Sequence, residues 1–392
     1  MAVRPRTAAA QILGRVLRGG AYANVLIDSW TKDQRADDAV LIRANVFYAL
    51  RWLGRIDRIL TTHTSRPLGR LEHPVLDLLR VGVAEILLGT HPAHVVSDCV
   101  EAVREMKKPK AAGLVNAVLR KSGEDQGSSG PITEDGLFPG WFVEDLRSAW
   151  GKDEALAFLE ASNQAPRVGV RVPPGGREPE GERVEGIAGA WLCAAPPRAG
   201  YIQDPASVAV VNALELEEGH RVLDLAAAPG GKTQHMLDLV GPAGSVVAND
   251  RHPRRAKEAA ERVPGAEWMV ADGRSTGLPS ASFDRVLVDA PCSGLGTLRR
   301  RPELRFRATP ADVARLAVIQ AELVSSSLSL LNPGGLLVYS VCTVTTAETV
   351  GAISEFKAER PVMAVGRALG SGLLLGPHIS PTDGMFISRI RV

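Results

Sequence analysis

The chain has 392 residues, a length that predicts two or three domains at roughly 100–200 residues per domain. Hydrophobic residues make up 45% of it and charged residues 23%, which excludes a disordered chain and one dominated by apolar membrane spans. The net charge is only +2, but residues 1–125 carry +6, which predicts a basic module facing a polyanion or, alternatively, an ordinary solvated surface.

Cysteine usage and apolar run length bear on location and partners. The chain contains four cysteines, Cys99, Cys193, Cys292 and Cys342. They are too sparse for a disulfide framework and lack the CxxC spacing of a metal site. No apolar run approaches the ~20 residues of a membrane span. We therefore expect a cytoplasmic monomer that binds neither a metal nor a membrane.

Residues 1–125 are predicted to form an all-helical domain. Apolar residues recur there at helical spacing, as in Ile12, Leu13, Val16 and Leu17, and strand-like runs are few. Glycine pairs and prolines divide the stretch into several short helices.

A linker and a small connector are predicted next. The segment GEDQGSSGP has the composition of a linker, which we place at residues 126–136. Residues 137–200 begin with a helical pattern and continue as short apolar runs between Pro- and Gly-rich stretches. This pattern predicts a small α+β connector.

Residues 201–392 alternate between strand-like runs and helical patterns. The strand-like runs are RVLDLA, SVVAND, EWMVAD, DRVLVDA and GGLLVYSVC. This order predicts a Rossmann-like α/β domain with a parallel sheet. In such a sheet a ligand lies outside the carboxyl ends of the strands, so the residues that end these runs are candidates for binding.

The first strand-like run leads into a glycine-rich turn, VLDLAAAPGGKT. Gly230 and Gly231 allow the backbone to pass close to a ligand, and Lys232 begins the next helix. The turn is not a P-loop, because position 226 is alanine where that motif requires glycine. Phosphate binding is therefore disfavoured.

Two aspartates end the second and third strand-like runs. Asp250 lies 26 residues after Asp224, about where a nucleotide-binding fold places an acid for ribose hydroxyls. The alternative is a turn or N-cap aspartate. Asp272 is a candidate acceptor for an adenine amine, and the alternative is an Asp-Gly turn residue.

Two cysteines follow the last strand-like runs. Cys292 lies in DAPCSG, three residues after Asp289, and Cys342 follows LLVYSV. If the two strands are neighbours, both thiols face one cleft, where a thiolate is a strong nucleophile near neutral pH. Cys99 and Cys193 lie in apolar surroundings and are interpreted as inert small hydrophobes.

These motifs resemble those of the NOL/NOP2/Sun class of RNA cytosine-C5 methyltransferases. The glycine-rich block corresponds to LDLAAAPGGKT, the Pro-Cys block to DAPCSGLGTLRRRPELRF and the nucleophile block to YSVCTVTTAE. The closing DGMFISRIRV extends the resemblance over residues 139–392. RTAAAQILGRVL, LLRVGVAEILLG and AAGLVNAVLRK are similar to the NusB-type RNA-binding domain of bacterial members. The resemblance implies a NusB-like helical domain and a class I methyltransferase domain.

The resemblance also implies a cofactor, S-adenosylmethionine, and roles for individual residues. Its methionine part would be lined by Ala226, Ala227, Ala228, Pro229, Gly230, Gly231 and Lys232. Asp250 would bind the ribose and Asp272 the adenine, while Asp289 would touch both the cofactor and the target base. Cys342 would be the nucleophile that adds to C6 of cytosine. Cys292 would assist release of the product.

A basic segment directly follows the Pro-Cys turn. Its arginines are Arg299, Arg300, Arg301, Arg305 and Arg307. We expect them to contact phosphates of the target strand, with a solvated loop as the alternative. The target cytosine is expected in a loop or flipped out, because an A-form duplex hides C5 in a deep groove.

Three functions remain open at this stage. The leading one is methylation of a cytosine at C5 in 16S, small-subunit ribosomal RNA, which the N-terminal helical fusion favours. The second keeps the chemistry but acts on transfer RNA. The third is a non-catalytic RNA-binding or ribosome-assembly protein, against which the joint presence of Asp289, Cys292 and Cys342 argues.

Overall fold

The computed structural model of the protein describes residues 3–124, 136–198 and 200–392. These residues form two compact units. The first contains the described residues up to Glu144 together with Arg300–Arg307, and the second contains Asp145–Arg299 and Ala308–Val392. The predicted linker lies outside the described residues except for its last position, residue 136.

The first unit is helical. Its helices are α1 (Pro5–Gly19), α2 (Ala23–Thr31), α3 (Ala36–Arg51), α4 (Leu53–His63), α5 (His73–Leu87), α6 (Pro92–Glu105) and α7 (Ala112–Glu124). Single 3₁₀ turns occupy Leu68–Arg70, Pro109–Ala111 and Pro302–Phe306. Helix α5 is apolar around most of its circumference and packs against α1, α3, α4, α6 and α7. The prediction of an all-helical N-terminal domain is confirmed.

Arg305 lies in the interior of the helical unit. Its side chain is 1% exposed, and its Nη1 donates hydrogen bonds to the carbonyls of Leu137 at 3.2 Å and Arg51 at 3.3 Å. The guanidinium also lies 4.2 Å from the centroid of the Phe138 ring. Burial lowers the pKa of Arg305 to about 9. This position differs from the solvent-facing one that the sequence predicted, because the arginine is the donor for these inward-facing carbonyls.

The neighbours of Arg305 in the same segment are also taken up by the helical unit. The buried Glu303 accepts a hydrogen bond from the backbone N–H of Ala23 at 3.2 Å. Arg307 donates to the carbonyl of Ala21 and stacks 4.8 Å from the ring centroid of Tyr22. Residues 300–307 therefore complete the helical unit.

The second unit contains the connector and a larger α/β sheet. Its helices are α8 (Gly140–Trp150, which begins in the first unit), α9 (Lys152–Ser162), α10 (Pro205–Asn212), α11 (Gly231–Val240), α12 (Pro253–Arg262) and α13 (Pro310–Leu328). A π-helical turn covers Ala347–Gly351. The connector strands are β1 (Val168–Arg171), β2 (Glu182–Arg183), β3 (Ala190–Cys193) and β4 (Tyr201–Ile202), paired antiparallel in the order β2-β3-β1-β4.

The larger sheet has nine strands within the described residues. They are β5 (Arg221–Asp224), β6 (Ser245–Asn249), β7 (Glu267–Met269), β8 (Phe283–Asp289), β9 (Leu331–Val341), β10 (Ala358–Glu359), β11 (Arg367–Leu369), β12 (Gly372–Leu375) and β13 (Met385–Arg391). The order is β11-β12-β13-β9-β8-β5-β6-β7, and β10 also pairs with β13.

The α/β prediction is confirmed, although the sheet is mixed rather than wholly parallel. Strands β5 to β9 pair in parallel, and β10 to β13 pair antiparallel. Parallel pairing needs a crossover of a dozen or more residues, whereas β11 and β12 are joined by a tight hairpin. Within the described ranges, no helix has the length and apolar character required to cross a bilayer.

A buried carboxyl group ties the first strand of the parallel sheet to the helix that follows it. Asp224 is 1% exposed, and the Thr233 hydroxyl donates to its Oδ2 at 2.7 Å. Burial raises the pKa of Asp224 from 3.8 to about 7. The folded protein therefore holds a proton that the unfolded chain releases above about pH 4.

This shift makes stability depend on pH with a definite sign. Stability from this group falls as pH rises from about 4 to 7, because charging Asp224 is harder in the folded state. Asp224→Asn stays neutral and keeps an acceptor for Thr233. We expect its stability relative to the wild type to increase by up to about 4 kcal/mol over that range, measured as the urea midpoint of the α/β unit. The exposed Asp33→Asn is the matched control, and a pH-independent difference for Asp224→Asn would contradict the prediction.

Candidate active site

The carboxyl ends of β5 to β9 meet at one edge of the sheet, because these strands are parallel neighbours. Every candidate catalytic and cofactor residue ends or follows one of these five strands. Strands β8 and β9 pair directly, with Asp289 opposite Ser340. The condition under which both thiols face one cleft is therefore met.

The glycine-rich turn leaves a surface free of side chains at the end of β5. Gly230 has φ 100°, in the left-handed region, and an added Cβ would lie 2.9 Å from Val263 Cγ2. At Gly231, by contrast, an added Cβ would meet nothing nearer than Gln203 Nε2 at 3.9 Å. The turn therefore keeps open space beside backbone amides at the start of α11, which fits a cofactor that approaches the main chain.

Asp250 directly follows β6 and is 3% exposed. Its Oδ1 accepts a hydrogen bond from the backbone N–H of His252 at 2.9 Å, so it is a turn residue in its own right. Its Oδ2 lies 3.4 Å from Arg255 Nη2, and Arg255 also donates to the carbonyl of Ala228 at 2.7 Å. Arg255 thereby links Asp250 to the glycine-rich turn.

Asp272 lies beyond β7 and is held by Arg274. The Arg274 side chain donates to Oδ1 at 3.0 Å and to Oδ2 at 2.7 Å, and its backbone N–H donates to Oδ1 at 3.0 Å. These hydrogen bonds hold the pKa of Asp272 well below its usual range. The carboxylate is therefore an ionised acceptor.

Lys232 and Asp289 form an ion pair in the cleft. Lys232 Nζ lies 2.6 Å from Asp289 Oδ2, and the Ser340 hydroxyl donates to Asp289 Oδ1 at 2.7 Å. Burial alone would lower the pKa of Lys232, but the Asp289 carboxylate outweighs it and the pKa is raised. Lys232 therefore keeps its charge beside the thiols.

Cys292 and Cys342 are in contact. Their Sγ atoms lie 3.3 Å apart, and both residues are half-buried. The hydrogen bond to Cys342, followed by burial, raises the pKa of Cys292 well above its ordinary value. Either thiol can donate in this contact. Cys99 and Cys193 are both buried.

The closing segment of the chain packs against the Cys292 turn. Gly296 N–H donates to the carbonyl of Cys342 at 3.0 Å, and Gly384 N–H donates to the carbonyl of Gly296 at 2.8 Å. A Cβ on Gly296 would lie 2.1 Å from the oxygen of Gly384, so only glycine fits there. The residue that directly precedes β13, Gly384, therefore packs against the Cys292 turn and helps to fix it.

A buried acid, Glu348, was not among the site residues predicted from the sequence. It is 0% exposed and accepts hydrogen bonds from residues in both cysteine turns and from Gln320 of α13. The one signal in the sequence is its position, six residues after Cys342 in a threonine-rich stretch. The pairing of Lys232 with Asp289 was also missed, since 57 residues separate them.

Family models and relatives identify the family of the chain. A model described as "16S rRNA methyltransferase RsmB/F" matches residues 211–391, and a NusB family model matches residues 3–124. "Putative methyltransferase MT1451" of Mycobacterium tuberculosis is 34% identical over 98% of this chain and 96% of its own length. Ribosomal RNA small subunit methyltransferase B of Pseudomonas syringae pv. tomato is 31% identical over 91% of this chain and 87% of its own length.

Solved structures share the fold. The crystal structure of PH0851 has a TM-score of 0.79 at 22% identity and covers 99% of both chains. A methyltransferase homologue from Pyrococcus horikoshii has a TM-score of 0.56 at 25% identity, covering 67% of this chain and 99% of its own. With the relatives matching over nearly the full length, the chain is an S-adenosylmethionine-dependent methyltransferase that belongs to the RsmB/F family and carries a NusB domain.

Proposed function

We propose that the protein transfers a methyl group from S-adenosylmethionine to C5 of a cytosine in 16S ribosomal RNA, through a covalent adduct between Cys342 and C6. The contact between the Cys292 and Cys342 thiols, 3.3 Å apart beside the Lys232–Asp289 pair, carries this proposal. A mechanism that uses one cysteine gives no reason for a second thiol in contact with the first, in the turn that follows the neighbouring strand.

Cys342 begins the reaction as the nucleophile. Cytosine C5 is too poor a nucleophile to take a methyl group directly, but addition of a thiolate to C6 makes C5 enamine-like. S-adenosylmethionine supplies the electrophilic methyl group. The role of Cys342 is to form and later break the bond to C6, which divides one difficult step into two.

Lys232 and Asp289 stabilise the charge that this addition creates. Electron density moves from C6 toward N3 and O2 of the ring as the thiolate attacks. The Lys232 ammonium is fixed 2.6 Å from Asp289 and its side chain is mostly shielded from water, so its charge acts at low reorganisation cost. N3 gains a proton as this charge develops, and Asp289, protonated or sharing that proton with N3, would donate it.

Cys292 acts after methyl transfer. Before Cys342 adds to C6, the hydrogen bond between the thiols is the largest cause of the raised pKa of Cys292. Once Cys342 is bound to C6, that acceptor is lost and the Cys292 proton is released more easily. Cys292 then serves as the base that removes the C5 proton, which allows Cys342 to be eliminated.

The ribosomal substrate is proposed from the relatives and from the NusB domain. The Pseudomonas syringae relative is named for small-subunit ribosomal RNA, and the chain covers 87% of it. Transfer RNA is the second candidate, and a non-catalytic RNA-binding protein is the third. Incubation with labelled S-adenosylmethionine and unmodified 16S ribosomal RNA or transfer RNA, followed by nucleoside analysis, separates the three.

In that assay we expect labelled 5-methylcytidine in 16S ribosomal RNA. Cys342→Ala should lower its formation by at least about 10³-fold, because no other group forms the adduct, while cofactor affinity stays near the wild-type value. The matched control is Cys193→Ala, a buried cysteine away from the cleft, which should retain activity. Substantial methylation by Cys342→Ala would sink the nucleophile role.

Removal of Cys292 should trap the reaction after methyl transfer. Cys292→Ala lacks the base for the C5 proton, so we expect a covalent protein–RNA species that migrates slowly on a denaturing gel. The double variant Cys292→Ala/Cys342→Ala should give no such species. Absence of the adduct in the single variant, with 16S ribosomal RNA and cofactor present, would show that Cys292 has no part in release.

Phosphate contact is proposed for the first three arginines of the basic segment. Arg301 is exposed, Arg300 is half-buried, and Arg299 donates to the carbonyl of Thr382 at 3.2 Å. Arg301→Ala should reduce the slope of log affinity against log salt by about 0.7, the value for one single-strand phosphate contact. Arg305→Met should leave that slope unchanged and lower stability instead, because Arg305 is buried. Equal slopes for Arg301→Ala and the wild type would return Arg301 to the solvated-loop alternative.

A further inference from the structure

Glu348 is a buried carboxylate surrounded by neutral donors. Its Oε1 accepts from the Ser293 backbone N–H at 2.8 Å and from Gln320 Nε2 at 3.1 Å. Its Oε2 accepts from the Ser293 hydroxyl at 2.5 Å and from the Thr345 hydroxyl at 2.9 Å. Among the residues that the structure describes, no Lys, Arg or His nitrogen lies within 4.0 Å of it.

The hydrogen bonds of Glu348 reach the residues next to both thiols. Ser293 directly follows Cys292, and Thr343 directly follows Cys342. The Thr343 hydroxyl lies 2.7 Å from Ser293 Oγ and 3.3 Å from Glu348 Oε2. The carboxylate therefore joins two turns that belong to different strands and are 50 residues apart in the chain.

Glu348 is itself held in place from two further elements. Gln320 of α13 donates to the carbonyl of Pro291 at 2.9 Å as well as to Glu348. The Tyr339 hydroxyl of β9 donates to the carbonyl of Glu348 at 2.6 Å. Glu348 itself lies in the π-helical turn Ala347–Gly351.

Such an arrangement is costly for stability alone. A buried carboxylate loses its hydration, and neutral donors compensate only when every one of them is in place. An apolar side chain would hold a core at lower cost. The donors belong to the turns that carry the two thiols. The stability cost of burying Glu348 therefore falls at the place where the distance between the thiols is determined.

We propose that Glu348 is a positioning residue that holds the Cys292 turn and the Cys342 turn together, so that the two thiols stay in contact. The proposal rests on the proposed function for the catalytic meaning of that contact. The geometric part concerns the thiols alone and is tested without RNA or cofactor.

The test measures the equilibrium constant for formation of a disulfide between Cys292 and Cys342. Oxidised glutathione oxidises the two thiols to a disulfide. For each disulfide formed, one molecule of oxidised glutathione is reduced to two molecules of reduced glutathione. The equilibrium constant rises with the effective concentration of one thiol at the other. Peptide mapping assigns the bond to Cys292 and Cys342.

Glu348→Gln should lower this constant by about tenfold or more, because the amide cannot accept from all the donors and the turns separate. Glu348→Asp keeps the charge on a shorter side chain and should give an intermediate value. The exposed Glu355→Gln, seven residues further along the chain, is the matched control and should leave both the constant and methylation unchanged.

Ser293→Ala provides a second variant if Glu348→Gln fails to fold. It removes one hydroxyl donor and leaves the backbone hydrogen bond, so the constant should fall a fewfold while the urea midpoint changes little. A wild-type constant in folded Glu348→Gln or in Ser293→Ala would overturn the proposal.

Methylation kinetics connect the positioning to catalysis. Glu348→Gln should lower kcat and leave the KM for S-adenosylmethionine near the wild-type value, because Glu348 contacts the thiol turns and not the glycine-rich turn. If Glu348→Gln lowered the equilibrium constant for disulfide formation but left kcat unchanged, the claim that the thiol contact matters for methylation would be overturned. If the wild type itself made no 5-methylcytidine, the proposed function would fail, and the glutathione equilibrium would still decide the role of Glu348.

Discussion

The parallel pairing of β8 with β9 is the constraint on which the site depends. It sets Asp289 opposite Ser340 and brings the chain after each strand to the same edge of the sheet. A shift in register by one residue would turn Asp289 to the other face and separate the thiols. Glu348, Gln320 and Gly296 then act on two turns that the pairing has already made neighbours.

Charge is distributed unevenly around the two thiols. Lys232 is paired with Asp289, whereas Glu348 accepts hydrogen bonds from neutral donors. Under the proposed mechanism the Lys232 cation stabilises charge that develops on the nucleobase, whereas Glu348 accepts hydrogen bonds from backbone and hydroxyl groups of the thiol turns. The two proposals thus give different roles to two carboxylates: Asp289 acts on the substrate, and Glu348 positions the thiol turns.

Much of this fold is readable from the sequence, because its signals are local. Alternating strand-like and helical runs identify the α/β unit, and polar residues that end those runs identify the cleft. The contacts that complete the site are not local. Lys232 meets Asp289 across 57 residues, and Glu348 meets Ser293 across 55. Arg305 shows the same limit, since the run RRRPELRF gives no sign that carbonyls of Arg51 and Leu137 lie opposite it.

The helical unit is discontinuous in the chain, and this affects the order in which it is completed during synthesis. Arg305 emerges from the ribosome 254 residues after Arg51, whose carbonyl it satisfies. At a translation rate of about 5–20 residues per second, roughly 13–50 s separate the synthesis of Arg51 from that of Arg305. During that interval the carbonyls of Arg51 and Leu137 lack this donor, so the helical unit is completed only after β5 to β8 and Cys292 have been translated.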